Sequence, residues 1–345
     1  MKTKKILPLG KLDFPILSRL LKKYETILDP RVVLGPKLGE DAAVIDFPDR
    51  YLVVKTDPIT FATEEIGWYA VQVNANDIAT TGAVPKWFQA TILLPEGKTT
   101  EEEAERIFAQ ISEAAKTLGV SVVGGHTEVT YNLDRPIVVG TMLGEVAREK
   151  LVSTSGAKPG DAIILTKGVA VEGTTIIARE KREELRQRGY SEEFIRKCQN
   201  FLHKPGLSVV RDAFLANQFI VHAMHDPTEG GLSAGLYEVA QASRVGLLVD
   251  KEKIPILEES SILCGEYGLD PLKTIASGAL LIIAPPESVD SITSVLGRHK
   301  ILATTIGEIK EKNQGLKIVT AGRIEDLDFS AKDEITKIFK QSGPV

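Results

Sequence analysis

Four segments that combine acidic or amide side chains with glycines or other turn residues follow one another in the first half of the chain. Apolar stretches with strand or helix character separate them, so each segment is expected where a strand or helix meets a loop. This layout restricts the fold to one in which several loops converge and bring polar groups together. The segments are 39–45, 55–58, 74–79 and 124–128.

Converging carboxylates indicate a site for a cation and a phosphate. Mg²⁺ gives up its water reluctantly and is usually held by one or two carboxylates together with substrate phosphates. A single Asp in such a segment is more often a helix cap or a turn residue, but four segments in succession favour a shared site. The pattern therefore predicts a Mg–nucleotide enzyme, with capping as the alternative for each Asp taken alone.

Length and composition are typical of a globular protein with two domains. The chain has 345 residues, of which 43% are hydrophobic and 26% charged, and its net charge is −5. This length allows two hydrophobic cores, and the negative charge gives no indication of a nucleic acid or an anionic membrane as a partner. No apolar run approaches the roughly 20 residues of a membrane span, and no signal-peptide pattern follows the basic start. We therefore expect a cytoplasmic protein.

The two cysteines, Cys198 and Cys264, do not have the spacing of a metal site or a redox pair. Both are expected to be packed or surface thiols, because a disulfide does not persist in a reducing compartment. The many Glu, Lys and Arg residues, beside few Met and Cys, indicate a thermophile.

Hydrophobic periodicity predicts alternating strands and helices in both halves, an α/β or α+β arrangement. Thr100 and Glu103 form a capping box that starts a helix ending before Gly119. The polar stretch 147–160 is expected to be a domain boundary, which gives domains 1–150 and 151–345. Predicted strands are 51–55, 88–94, 120–123, 137–146, 162–166, 220–224, 279–284 and 301–309, and predicted helices are 65–81, 100–118, 172–186, 207–216, 231–243, 287–296 and a C-terminal helix from 325.

Residue types within the acidic segments indicate individual roles. The glycine before Asp41 and the small residues after it let the backbone approach a ligand closely, although a turn Asp before a strand is the alternative. Asn74 and Asp77 share one helix face, where polar groups among apolar neighbours need a metal, a ligand or a backbone partner, with helix capping as the alternative. Gly124 and Gly125 follow a β-branched strand and predict a sharp turn whose N–H groups suit a phosphate.

In the second half, the segment His225–Gly231 leads into a predicted helix. The N–H groups and the dipole at a helix N-terminus favour an anion, so Thr228, Gly230 and Gly231 are candidate phosphate contacts. Glu229 places a carboxylate where such a loop would otherwise be most positive. Either it caps the helix, or it recognises a substrate nitrogen or acts as a base.

These segments in this order resemble the superfamily of aminoimidazole ribonucleotide (AIR) synthetase, selenide water dikinase, thiamine-monophosphate kinase and the hydrogenase maturation factor HypE. The resemblance spans roughly residues 9 to 322 and is closest to HypE-type proteins. In the second half it is carried by 158–161, 172–174, 225–231, 254–255, 268–272 and 277–278.

The resemblance implies a PurM-like α+β (α/β) architecture of two domains, in which the N-terminal domains of two chains form a dimeric β-barrel. It also implies ATP and Mg²⁺ as cofactors and a homodimer. Asp41, Asp57 and Asp77 would then be metal ligands. The implied ATP or phosphate contacts are Gly39, Asn74, Gly124, Gly125, Thr127, Thr228, Gly230 and Gly231.

The sequence departs from the HypE pattern at several positions. His126 stands where relatives of the HypE kind carry Asp, and because Mg²⁺ prefers oxygen ligands, it is expected to donate to phosphate, with a structural histidine as the alternative. Glu229 replaces a typical Arg. HypE proteins dehydrate a carbamoyl group on a C-terminal cysteine, whereas this sequence ends in Gln341–Val345 without one. We therefore do not expect that self-cyanating reaction in its usual form.

The leading interpretation is an ATP- and Mg²⁺-dependent enzyme that phosphorylates an oxygen of a small-molecule substrate, with His126 and Glu229 as catalytic residues. A kinase of the thiamine-monophosphate type is one alternative. The other is a nucleotide-binding scaffold without turnover that docks a hydrogenase-maturation protein.

Overall fold

The computed structural model describes residues 13–339 except 25, 26, 28, 61, 63 and 331, so the basic start of the chain and the final segment Gln341–Val345 lie outside the described residues. The first half forms a six-stranded sheet with the order β1-β2-β3-β6-β4-β5. Its strands are β1 (Val32–Leu34), β2 (Ala43–Asp46), β3 (Tyr51–Ile59), β4 (Val84–Pro95), β5 (Ser121–Thr130) and β6 (Ile137–Val146).

Most neighbours in this sheet are antiparallel, and only β4 and β5 run parallel. In β6, residues alternate strictly between buried and partly exposed, as expected for a strand with one face on a core. β5 lies at the edge of the sheet, and nine of its ten residues are exposed. Within the described residues the sheet is open and does not close into a barrel.

Among the described residues, the first half contains the helices α1 (Phe14–Lys23), α2 (Ile66–Thr80) and α3 (Glu101–Leu118). The capping box of Thr100 and Glu103 is present at the start of α3, and Gly119 ends it in the left-handed conformation (φ 68°). Every residue of α2 except Trp68 is buried, because α2 packs against β3, β6, α3 and a helix of the second half. Polar side chains on α2 must therefore find partners inside the protein.

The second half forms a seven-stranded sheet with the order β13-β12-β9-β11-β7-β10-β8. Its strands are β7 (Ala162–Thr166), β8 (Ala223–His225), β9 (Gly246–Asp250), β10 (Leu281–Ala284), β11 (Ala303–Lys310), β12 (Leu316–Thr320) and β13 (Arg323–Asp326). Its helices are α4 (Val171–Glu180), α5 (Arg182–Gln187), α6 (Glu192–Gln199), α7 (Val210–Ala216), α8 (Gly231–Ser243), α9 (Glu258–Glu266) and α10 (Pro286–Arg298).

The structure changes three sequence predictions. The predicted turn at Gly124 and Gly125 is instead the middle of β5, because β4 pairs with the chain across both glycines. The predicted helix 172–186 is divided at Lys181 into α4 and α5. The segment from Glu325, expected as a helix, continues β13 and later forms one short 3₁₀ turn at Glu334–Lys337.

No helix among the described residues is long and apolar enough to cross a bilayer. No strand of either sheet lies between Val146 and Ala162. We propose that this link is the boundary between the two domains, 1–150 and 151–345.

Candidate active site

Residues from both halves line one cavity of about 500 Å³. The first half contributes α1, the loop before β2, the second half of β3 with the residue that follows it, one side chain of α2 and the loop before β6. The second half contributes the end of β8, the loop between β8 and α8 and one side chain of α8. We call this the acidic cavity, and its polar lining is Lys37, Glu40, Asp41, Lys55, Asp57, Thr60, Asp77, Arg135, His225, Asp226, Thr228, Glu229 and Glu238.

Three buried carboxylates meet in the acidic cavity. One oxygen each of Asp41, Asp77 and Asp226 lie within 4.8 Å of one another, and these residues are 8%, 4% and 1% exposed. Neither carboxylate oxygen of Asp226 has a hydrogen-bond partner among the described residues. Buried carboxylates without partners are costly, and an all-oxygen cluster of this kind suits Mg²⁺. The donor set therefore fits a divalent cation.

The electrostatics of these carboxylates support the same conclusion. Burial, together with the negative charge of Asp41, raises the pKa of Asp226 to about 8. Burial also raises the pKa of Asp77 well above its usual range. Carboxylates that share a site repel one another when ionised, and a bound cation would remove both the repulsion and the cost of burial.

Lys55 carries the nearest basic group. Its Nζ lies 3.2 Å from Asp57 Oδ2 and 3.4 Å from Asp77 Oδ2. Burial would lower the pKa of Lys55, but Asp77 and Asp57 outweigh it and raise that pKa well above its usual value. Lys55 is thus a fixed positive charge at the rim of the carboxylate cluster.

His225 holds the other side of the cluster. Its Nδ1 lies 2.7 Å from Asp41 Oδ1, and its Nε2 lies 3.0 Å from Glu238 Oε2. Burial would lower the pKa of His225, but these two carboxylates raise it to about 10. Both ring nitrogens therefore carry protons and donate, which fixes the orientation of Asp41.

In the structure, the side chains of Asp57 and Asn74 have partners within the protein. The Asp57 side chain is 31% exposed and pairs with Lys55, so it lines the cavity without joining the three-carboxylate cluster. Asn74 is fully buried. Its Oδ1 accepts from the Asp57 N–H at 2.9 Å, and its Nδ2 donates to the Ala70 carbonyl at 2.8 Å. Asn74 therefore positions β3, and the phosphate contact predicted for it stays a prediction.

The glycines predicted to contact phosphate lie in different surroundings. Gly39 lines the cavity with φ +86°, and a Cβ there would meet the Glu238 carbonyl oxygen at 2.7 Å. At the start of α8, however, Gly230 N–H donates to Asp333 Oδ2 at 2.6 Å, and Gly231 N–H donates to the Thr228 carbonyl. Both N–H groups therefore have partners within the protein, and the phosphate contacts predicted for Gly230 and Gly231 stay predictions.

The predicted contacts on β5 also lie outside the acidic cavity. Gly124, Gly125, His126 and Thr127 are exposed on this edge strand. The only ion-pair partner found for His126 among the described residues is Glu128, 3.3 Å away. In the single chain, His126 therefore does not reach the cluster of Asp41, Asp77 and Asp226.

Thr228 and Glu229 do line the acidic cavity. At the start of α8 the N-cap residue is Gly230 rather than Glu229. Sequence reasoning missed Asp226, His225, Lys55 and Glu238. The signal for Asp226 was available, because Asp226 follows His225 directly in the segment His225–Gly231.

The comparisons with known proteins agree with this fold. The family models described as AIR synthase related protein match residues 39–146 with the N-terminal domain and residues 158–319 with the C-terminal domain. Carbamoyl dehydratase HypE of Rhizobium leguminosarum bv. viciae is 30% identical, covering 88% of this chain and 86% of that protein. Thiamine-monophosphate kinase of Pyrococcus horikoshii is 29% identical, covering 84% of this chain and 88% of that enzyme.

Among solved structures, hydrogenase maturation protein HypE in complex with ATP superposes with a TM-score of 0.67 at 26% identity, over 92% of this chain and 93% of that chain. The chain therefore belongs to the AIR synthase related family, as a HypE-like member. The expected PurM-like two-domain fold of mixed α/β content is confirmed, and so is membership of a family of ATP-using enzymes.

Proposed function

We propose that this protein binds Mg–ATP in the acidic cavity and transfers the γ-phosphoryl group to an oxygen of a small substrate. The observation that carries this proposal is the cluster of Asp41, Asp77 and Asp226, in which Asp226 has no partner for either oxygen. An ATP complex of a HypE relative supports the choice of nucleotide. Lys37 and Arg135 line the same cavity and add positive charge for phosphate groups.

The chain's own residues would do three things in this reaction. Asp41, Asp77 and Asp226 would hold magnesium, which when bound neutralises charge on the transferring phosphoryl group. His225 would keep Asp41 oriented through its two hydrogen bonds. Lys55 would balance negative charge beside Asp57 and Asp77. Catalysis would rest mainly on positioning and electrostatics, because phosphoryl transfer needs little covalent help from a protein.

The acceptor is proposed to be a separate molecule rather than a cysteine of this chain. Burial raises the pKa of Cys198 and of Cys264 to about 12 each, and both are buried. A thiol attacks as its thiolate, so neither is a competent nucleophile in this conformation. This favours phosphorylation of a small substrate over carriage of a carbamoyl group on a thiol of these 345 residues.

A role in hydrogenase maturation is the finer form of the proposal, because the HypE relatives carry that description. The thiamine-monophosphate kinase relative supports the kinase alternative. A docking scaffold without turnover is disfavoured, since the buried carboxylates of the acidic cavity are maintained at a cost to stability.

We also propose a homodimer formed through β5. This edge strand exposes three valines, Val122, Val123 and Val129, at 49%, 55% and 61%. A long exposed apolar edge strand is open to pairing with another chain. A second copy at this edge would cover His126 and Thr127. His126 would then donate a hydrogen bond to phosphate, as predicted, in a site shared by the two chains.

A thermal-shift experiment tests the nucleotide proposal. Mg–ATP should raise the melting temperature of the wild type, by an amount equivalent to about 2.7 kcal/mol at a hundred times the dissociation constant. The shift should disappear in Asp77→Asn and persist in Asp134→Asn, whose side chain is fully exposed and pairs with Lys98. An unchanged melting temperature of the wild type at millimolar Mg–ATP would reject the site.

A further inference from the structure

The segment 158–161, one of those that carry the family resemblance, lies outside the lining of the acidic cavity. It forms a tight turn, in which the Asp161 N–H donates to the Lys158 carbonyl at 3.1 Å and the Lys158 N–H donates to Asp161 Oδ2 at 2.8 Å. Two backbone hydrogen bonds attach this turn to β11: the Gly160 N–H donates to the Ile309 carbonyl, and the Ile309 N–H donates to the Asp161 carbonyl. The turn is therefore a rigid support for its side chains.

His222, just before β8, connects the two charged side chains of this turn. Its Nδ1 lies 3.0 and 2.9 Å from the two carboxylate oxygens of Asp161, and its Nε2 lies 3.2 Å from Lys158 Nζ. The backbone of His222 is also fixed, because its N–H donates to the Ile283 carbonyl and a Cβ on Gly156 would lie 1.9 Å from its carbonyl oxygen. We call Lys158, His222 and Asp161 the lysine triad.

The hydrogen bonds of the lysine triad determine where its protons lie. A carboxylate only accepts, so the His222 nitrogen beside Asp161 carries a proton. One proton is then shared between His222 Nε2 and Lys158 Nζ. When that proton lies on Nε2, Lys158 is a neutral amine, and the buried carboxylate of Asp161 faces an imidazolium and stabilises it. Rotation about the Cε–Nζ bond of Lys158 then turns the amine lone pair toward solvent.

This arrangement meets the geometric requirements for an activated nucleophile. Such a site needs a nucleophile and a base within hydrogen-bond reach, and a third group that orients the base. Lys158 is exposed, so a reagent in solution can reach its amine. The side chains of His222 and Asp161 are only 20% and 4% exposed, which keeps the base and its orienting group in place behind the lysine.

We propose that Lys158 is a nucleophilic lysine that accepts an acyl group from an acyl phosphate. One Nζ proton passes to His222 Nε2, the amine attacks the carbonyl carbon, a C–N bond forms, and the C–O bond to phosphate breaks. The departing phosphate takes a second proton from the nitrogen, and His222 returns the first to water. An acyl phosphate suits this site because its leaving group needs no acid from the protein. The product is a stable amide, so Lys158 is modified once.

Acetyl phosphate is the probe that tests this proposal, used on the full chain without nucleotide. Peptide mass spectrometry over time gives the acetylation rate of each lysine. Lys158 should be acetylated at least about tenfold faster than Lys253, since a positioned general base contributes roughly 10²–10⁴-fold. Lys253 is a suitable internal reference, because its side chain is 62% exposed and pairs with Asp250 instead of a histidine. Equal rates at the two lysines would overturn the proposal without any variant.

Variants of the histidine identify the base. His222→Gln retains a polar side chain beside Lys158 but cannot accept the proton, so the Lys158 rate should fall to that of Lys253. His299→Gln is the matched control, because His299 is exposed and contacts Arg211, and it should leave the Lys158 rate unchanged. Circular dichroism confirms that each variant is folded, and if His222→Gln is not, the wild-type comparison decides alone. An unchanged Lys158 rate in folded His222→Gln would also overturn the proposal.

Discussion

At the scale of single residues, the acidic cavity is an arrangement of charges that balances only in part. His225 and Lys55 supply positive charge to Asp41, Asp57 and Asp77. Asp226 receives no hydrogen bond from any described residue, so no hydrogen bond stabilises its ionised form. The cluster therefore has a deficit of positive charge that a divalent cation would fill.

Lys55→Met should reveal this deficit. Without Mg²⁺, removing the ammonium group leaves buried carboxylates with less compensation, and the free energy of unfolding should fall by on the order of 1–3 kcal/mol. Millimolar Mg²⁺ should restore more stability to this variant than to the wild type. Thermal unfolding with and without Mg²⁺ measures both effects, and Lys98→Met, which loses an exposed pair with Asp134, is the control. Equal Mg²⁺ effects on the wild type and Lys55→Met would show that Lys55 does not balance this site.

The two thiols give a second prediction at this scale. Cys198 and Cys264 are buried, and burial raises the pKa of each to about 12. Iodoacetamide at pH 8 should therefore modify the native protein far more slowly than the protein unfolded in guanidinium chloride. Intact-protein mass spectrometry over time measures both rates. Rapid modification of either thiol in the native state would reopen a mechanism with a cysteine carrier.

At the scale of elements, β5 differs most from its sequence prediction. Glycines after a β-branched run indicate a turn when only local preferences are considered. In the structure, β4 pairs with the segment across a register shift near Phe88 and Gln89, and Gly125 packs so tightly that a Cβ would lie 2.2 Å from the Ala90 carbonyl oxygen. Gly125 thus permits close backbone approach between strands, which a single sequence does not distinguish from a turn.

The exposed edge of β5 predicts the oligomeric state. Wild-type protein should have twice the 37.5 kDa mass of the chain in light scattering at micromolar concentration. Val123→Asp places a charge on this apolar edge and should shift the equilibrium to monomer. Ile324→Asp, at an exposed position of β13, should leave the dimer unchanged. A monomeric wild type, or a Val123→Asp variant that remains dimeric, would exclude β5 as the interface.

Helix and strand signals predicted much of the architecture because hydrophobic periodicity is local. The start of α3 at its capping box, the full extent of β7 and that of α8 followed directly from the sequence. The site followed only in part. Asp41 and Asp77 were identified within the acidic segments, but the third carboxylate of their cluster comes from beyond β8. Sequence spacing does not show that these distant segments of the chain lie next to one another in the fold.

At the scale of the whole molecule, the two halves complete one site. Asp41 and Asp77 come from the first half and Asp226 from the second, yet one oxygen of each lies within 4.8 Å of the others. The buried helix α2 brings Asp77 to this position because it packs against elements of both halves. Cation and nucleotide binding should therefore couple the two halves and stabilise the whole chain.

The most direct test is calorimetric titration of ATP, with Mg²⁺ and with EDTA, into the wild type, Asp226→Asn and Asp57→Asn. The structure predicts Mg²⁺-dependent binding to the wild type and a loss of about tenfold or more in Asp226→Asn, because that substitution removes a charged ligand. Asp57→Asn should lose less, since Asp57 lies outside the three-carboxylate cluster. ATP affinity in Asp226→Asn equal to that of the wild type, or binding equally tight in EDTA, would contradict a magnesium–nucleotide site built from both halves.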